Sequence, residues 1–162
     1  MIVVIMGVTG SGKTTVGSLL AQQLGWGFAD ADGFHPPANI EKMRQGIGLT
    51  DADRVPWLKA IHDAMLQWRA EGKKFVLACS ALKQSYREVL REKVEPKFVY
   101  LRGSAALIQS RLAHRTGHYA KADLLTTQFS DLEEPYGDAL VIEINHTPEE
   151  IVEEIRKKLF LA

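Results

Sequence analysis

The stretch "GVTGSGKTT", Gly7–Thr15, follows a short apolar run, "IVVIM" (Ile2–Met6), and leads into the helical pattern "KTTVGSLLAQQL" (Lys13–Leu24). It fits G-x-x-x-x-G-K-[ST] with a strand before it and a helix after it, the context that gives the pattern a mechanism. Its glycines let the backbone approach a ligand closely, and successive N–H groups turn inward onto phosphate oxygens. Lys13 adds a positive charge, and the Thr14 hydroxyl is a ligand for Mg²⁺. Gly7, Val8, Thr9, Gly10, Ser11, Gly12, Lys13, Thr14 and Thr15 are therefore expected to cradle the phosphates of a nucleoside triphosphate. A dinucleotide reading fails, because Thr15 occupies the place of the final glycine after Gly10 and Gly12. Switches, motors and kinases share such a loop, so the rest of the chain must choose the reaction.

Working outward, short β-branched runs recur at Lys74–Cys79, Lys97–Leu101 and Leu140–Ile144, with a weaker one at Trp26–Asp30. Helical patterns lie between them at Arg54–Ala70, Lys83–Lys93, Ser104–His114 and Pro148–Leu159. This alternation predicts an α/β fold: a three-layer arrangement with a five-stranded parallel sheet and helices on both faces. Thr147, Pro148 and Glu150 supply an N-cap, a proline at the first helical position and a glutamate three residues past the cap. Asp53 reads as another N-cap. Two stretches are long for plain connections, Asp32–Arg54 and His114–Asp123, and are expected to serve as a binding loop and a lid, the latter spanning about 114–124.

The chain has 162 residues, which suits a single domain over 1–162. Twenty Lys and Arg balance twenty Asp and Glu. No overall field then draws it to nucleic acid or to an anionic membrane, and a bound anion must be held by local charge. The lone cysteine, Cys79, excludes an internal disulfide and suits a reducing compartment, so the expected location is the cytoplasm. The apolar start is too short for a signal peptide's core, and no window approaches the roughly 20 apolar residues of a membrane span.

Among nucleotide users, a GTPase needs N-K-x-D, whereas the corresponding place reads Asn145-His146-Thr147-Pro148. A motor ATPase would end an apolar strand with an acid, whereas "FVLACS" ends in Cys79 and Ser80. The acids follow the second strand instead, as Asp30 and Asp32. Spaced i, i+2 at a strand end, they project toward the crevice where parallel sheets bind ligands. One can hold the metal's shell while the other accepts the proton of an attacking hydroxyl.

"DADGFHPPANIEKM", "LTDADRVPWL", "CSALKQSYREVLR", "VYLRGS", "RLAHRTGHY" and "LLTTQFSDLEEP" closely resemble the gluconate kinases (gluconokinases), small P-loop kinases akin to shikimate kinase. The resemblance runs from about Ile2 to Pro135. It implies ATP-dependent phosphorylation of D-gluconate at its 6-hydroxyl, with Mg²⁺ and a homodimer. Carried over by position, it makes Asp32 the acceptor-facing acid and Asp30 its partner near the metal, beside Thr14. His35, Arg54, Lys83 and Arg87 fall in motifs that contact the sugar acid. Arg111 and Arg115 match the lid arginines, Gly117 and His118 lie in the lid, and Gln128 falls in the motif after it. The chain departs from the pattern at Ala31, where glycine is frequent, at Gly48, where proline is frequent, and at "GHYAKAD", which replaces an apolar stretch.

The residue chemistry agrees with this resemblance independently. A sugar acid needs one or two cations and several short polar groups, which Arg54, Lys83 and Arg87 and their neighbours supply. Arg111 and Arg115, four apart, share a helix face and could balance the charge of a transferring phosphoryl group. His114 and His118 have the spacing of a zinc pair, but Thr116-Gly117 interrupts the helix and no third ligand accompanies them. Trp57 and Trp68 read as packing residues, and Cys79 as a buried thiol. The catalytic set is then Asp32, Lys13 and Arg111. The alternatives are a kinase of another small hydroxy acid such as shikimate, or a nucleotide-binding regulator without catalysis.

Overall fold

The computed structural model describes residues 1–113 and 122–162. Five strands form one parallel sheet: β1 (Ile2–Met6), β2 (Gly27–Asp30), β3 (Phe75–Ala78), β4 (Lys97–Arg102) and β5 (Leu140–Glu143). Their spatial order is β2-β3-β1-β4-β5. The helices among the described residues are α1 (Lys13–Leu24), α2 (Pro37–Arg44), α3 (Asp51–Ala70), α4 (Gln84–Arg91), α5 (Ala105–Ala113), α6 (Ala122–Asp131) and α7 (Pro148–Lys158). A 3₁₀ turn, Ala31–Phe34, follows β2. The expected three-layer α/β architecture is the observed one.

β1 is buried along its whole length because it sits between two apolar layers. Its side chains alternate with the period of a strand. Val3 and Ile5 enter a cluster with Val16 and Leu20 of α1, Ile108 and Leu112 of α5, and Ile151 and Ile155 of α7. Ile2, Val4 and Met6 enter a second cluster with Trp57, Ile61 and Met65 of α3 and with Tyr86 and Leu90 of α4. All strands run the same way, so the loops leaving β1, β2 and β3 gather at one edge of the sheet. The Gly7 N–H donates to the Ser80 carbonyl (3.3 Å), which ties the first and third of these loops together.

Three expectations about local structure need correction. The stretch Asp32–Arg54 is not one open loop: it holds most of the 3₁₀ turn, all of α2 and the first turn of α3. Pro36 and Pro37 look like loop signals, yet Pro37 stands at the first position of α2, where its missing N–H costs nothing. The N-cap of α3 is Thr50, and Asp53 is the third helical residue of a capping box. The Thr50 hydroxyl accepts from the Asp53 N–H, and the Asp53 carboxylate accepts from the Thr50 N–H. α6 was absent from the expected elements, and 122–124 of the expected lid form its first turn. Thr147, Pro148 and Glu150 do form the anticipated cap of α7.

Candidate active site

The phosphate loop is built by backbone geometry. Gly10 and Gly12 adopt φ of 78° and 98°, in the region that disfavours side chains, and Gly12 caps α1. A Cβ on Gly10 would also lie 2.9 Å from the Leu112 side chain of α5, so loop and helix fit only because the glycine is bare. Lys13 folds back along the loop, donating from Nζ to the Val8 carbonyl (2.9 Å). The Ser11 hydroxyl is buried with no hydrogen-bond partner among the described residues.

One short contact joins this loop to the acids at the end of β2, and a second joins the acids to each other. Thr14 Oγ1 donates to Asp30 Oδ2 (2.9 Å), and Asp30 Oδ1 accepts the Asp32 N–H (2.9 Å). Asp30 is thereby fixed through both oxygens, while Asp32 stands exposed just past the carboxyl end of β2, within the electrostatic reach of Lys13. Crowding by the protein raises the Asp32 pKa above the ordinary carboxylate value; the negative charge of Asp30 raises it further, and Lys13 opposes the rise. The donor set for a cation is a hydroxyl and a carboxylate. No group of three His, Cys, Asp or Glu among the described residues could hold a metal ion alone. Oxygen ligands in this small number fit Mg²⁺, which keeps waters and shares phosphate oxygens, and do not fit zinc.

The sugar-acid contacts expected from sequence separate in the fold. His35 stacks on Trp57, with ring centroids 4.7 Å apart, and its Nδ1 lies 3.2 Å from Asn39 Nδ2. The buried Asn39 also donates to the Asp53 carbonyl (2.8 Å), tying α2 to α3. Burial, with Arg54 nearby, lowers the His35 pKa to about 4, so the ring is neutral at pH 7 and Nδ1 accepts from Asn39. Arg54 donates to the Tyr86 hydroxyl (3.0 Å), and Lys83 donates to both carboxylate oxygens of Asp51 (3.0 and 3.2 Å). His35, Arg54 and Lys83 are thus brought to one side, around α3 and the start of α4.

Arg87 does not belong with them. It is 1% exposed and its guanidinium binds the Ala81, Leu82 and Glu133 carbonyls and Gln84 Oε1, between 2.7 and 3.1 Å. Lys83 has extended backbone at the cap of α4, so the i, i+4 spacing does not put the two side chains on one helical face. Arg87 holds the loop after β3 to the segment after α6. Gln128 reaches the phosphate loop: its Oε1 accepts the Thr9 N–H at 2.6 Å. Cys79 is buried and its thiol is pushed up to about 12, chiefly by burial, which leaves it protonated and inert.

Arg111 lies at the end of α5 and donates from Nη2 to the Ile144 carbonyl (2.5 Å). It lines a cavity of about 200 Å³ with Gly12, Thr15, His146 and Pro148, beside the phosphate loop. That position suits the nucleoside side of a bound nucleotide, where a guanidinium and a proline ring can pack against a base. Arg115, Gly117 and His118, like His114, lie outside the described residues. Sequence reasoning missed Asp51, Tyr86 and His146. Asp51 and Tyr86 stood inside quoted motifs, while His146 follows the carboxyl end of β5, where parallel sheets place ligands.

The chain matches the family model described as shikimate kinase over residues 9–160. A gluconokinase of Gluconobacter oxydans is 47% identical over 155 residues, covering 94% of this chain and 87% of that protein. A sugar kinase of Janibacter sp. HTCC2649 superposes with a TM-score of 0.91 at 42% identity, covering 99% of this chain and 95% of that one. A gluconokinase of Sinorhizobium meliloti 1021 does so with a TM-score of 0.84 at 40% identity, over 98% and 94%.

Proposed function

Since the chain belongs to the gluconokinase family and matches the shikimate kinase family model, we propose that it phosphorylates D-gluconate with ATP, giving 6-phospho-D-gluconate and ADP. The observation that carries this reading is the hydrogen-bonded run Thr14–Asp30–Asp32, which joins the phosphate loop to an exposed acid at the carboxyl end of β2.

In this mechanism Gly7–Thr15 holds the triphosphate and Asp32 orients the substrate's 6-hydroxyl. As that oxygen attacks the γ-phosphorus, the bond from phosphorus to the β–γ bridging oxygen breaks and its electron pair leaves with ADP; the hydroxyl proton passes to Asp32. The raised pKa of Asp32 suits an acceptor of that proton. Lys13 offsets negative charge on the phosphates. Mg²⁺, when bound, neutralises charge on the β- and γ-oxygens, and Thr14 and Asp30 are the residues that would hold it. Arg54 and Lys83 receive the substrate carboxylate, with His35 as a fixed polar neighbour. Arg111, in the cavity beside the phosphate loop, balances charge on the transferring phosphoryl group and walls the nucleotide, and Arg115 and His118 serve as donors from a lid over about 114–124. The protein acts as a single domain, with residues 32–54 forming the acceptor region, and works as a cytoplasmic homodimer. No helix among the described residues is long and apolar enough to cross a membrane.

A coupled ADP-release assay across gluconate, other aldonates, shikimate and nucleoside monophosphates tests the reading. Turnover with gluconate alone is expected. Turnover with shikimate instead would replace the substrate, and none with any acceptor would leave a nucleotide-binding regulator.

A further inference from the structure

Arg54 and Lys83, the two cations assigned above to the substrate carboxylate, already hold a carboxylate. Lys83 Nζ donates to Asp51 Oδ1 (3.0 Å) and Oδ2 (3.2 Å), and the Tyr86 hydroxyl donates to Oδ1. Arg54 Nη1 lies 3.9 Å from that same oxygen. Both cations sit over the Tyr86 ring, 5.6 and 5.8 Å from its centroid, which fixes them relative to each other. The donors are sheltered, with side-chain exposures of 17% for Arg54 and 27% for Lys83, whereas Asp51 is 66% exposed. The donor set is therefore the well-held part of the cluster, and of the two carboxylates beside Arg54, Asp131 (3.9 Å from Nη2, 28% exposed) is sheltered while Asp51 has room to swing into solvent. Neighbouring Asp53 is engaged elsewhere, with both oxygens on Lys42.

We propose that Asp51 is a resident stand-in for the substrate's carboxylate: it keeps Arg54, Lys83 and Tyr86 assembled around a negative charge and is displaced when the acid binds. The inference rests on the function proposed above. It gives Asp51 a specificity role, because only an acceptor bearing its own carboxylate can take over all three donors, and a neutral polyol would leave Asp51 in place. Tyr86 and then Lys83 hold the Asp51 carboxyl below its ordinary pKa, so it is ionised and competes throughout the neutral range.

Steady-state kinetics of Asp51→Asn with saturating ATP test the exchange. The expected result is a KM for gluconate lower by about two- to fivefold, the size of the exposed ion pairs that otherwise compete, with the change absent from kcat. The inhibition constant of D-glucitol, which has the hydroxyls without the carboxylate, should not follow. Asp51→Ser should behave as the asparagine variant does, and Asp51→Glu, which keeps the charge, should restore the wild-type KM. An unchanged or raised KM in the two neutral variants overturns the stand-in role. Wild-type protein that fails to phosphorylate gluconate instead overturns the proposed function, and the stand-in role falls with it.

Discussion

At Asp32 the main demand is that one carboxyl stay free while its neighbour is immobilised. Asp30 is held by the Thr14 hydroxyl and the Asp32 N–H, which leaves Asp32 as the acid proposed to meet an incoming hydroxyl. Asp32→Asn should lower kcat by about 10²- to 10⁴-fold, the usual span for losing a positioned proton acceptor, with little change in ATP affinity by equilibrium titration. Turnover near the wild-type rate would remove Asp32 from the reaction. His35 makes a second demand, because it is packed as a neutral ring. Its pKa of about 4 lies below the unfolded value of 6.5, so between these limits the unfolded chain binds a proton that the folded chain refuses. The stabilisation is complete above pH 6.5 and is lost as pH falls toward 4. Denaturant unfolding of His35→Gln should show a smaller loss between pH 7 and pH 4.5 than wild type, by on the order of 1–2 kcal/mol after discounting for partial solvent contact. Equal losses in the two proteins would mean that His35 is not packed neutral.

At the scale of elements, legibility followed how local the determining physics is. β1, α1 and the start of α7 were readable to the residue, because an apolar strand, a glycine-framed loop and a capping box each state their boundaries within a few positions. α2 was hidden because proline is read as a breaker, although at a first helical position it is an initiator. Thr50 and Asp53 are both good capping residues, and only their reciprocal hydrogen bonds decide which one is the cap. The site followed the same rule. The phosphate loop and the pair Asp30 and Asp32 were legible from short-range pattern. Arg87 and Gln128 were not, since their roles depend on partners 46 and 119 positions away, the Glu133 carbonyl and the Thr9 N–H. Asp51 was overlooked for a similar reason: its partners Lys83 and Tyr86 come from the start of α4, 32 and 35 positions later.

Across the whole molecule, the sheet separates the two ligands' supports. α1, α5 and α7, which surround the phosphate loop and the cavity beside Arg111, pack in one apolar cluster. α3 and α4, which carry Arg54, Asp51 and Tyr86, pack in the other. Hydrogen exchange read by mass spectrometry should therefore show two footprints. A non-hydrolysable ATP analogue alone should slow exchange in 7–16 and 144–151, and gluconate alone in 31–54 and 80–87. Slowing of both regions by either ligand alone would refute the separation.

The alternation of β1, with Val3 and Ile5 in one cluster and Ile2, Val4 and Met6 in the other, has a consequence for descent. Substitutions in α3 and α4 can accumulate with little repacking of the layer that supports the nucleotide, because each face of the sheet has its own apolar cluster and few side chains, Leu132 among them, pack against both. A lineage built this way can change what it phosphorylates while keeping how it phosphorylates, so the acceptor layer should record divergence between paralogues and the donor layer their common ancestry.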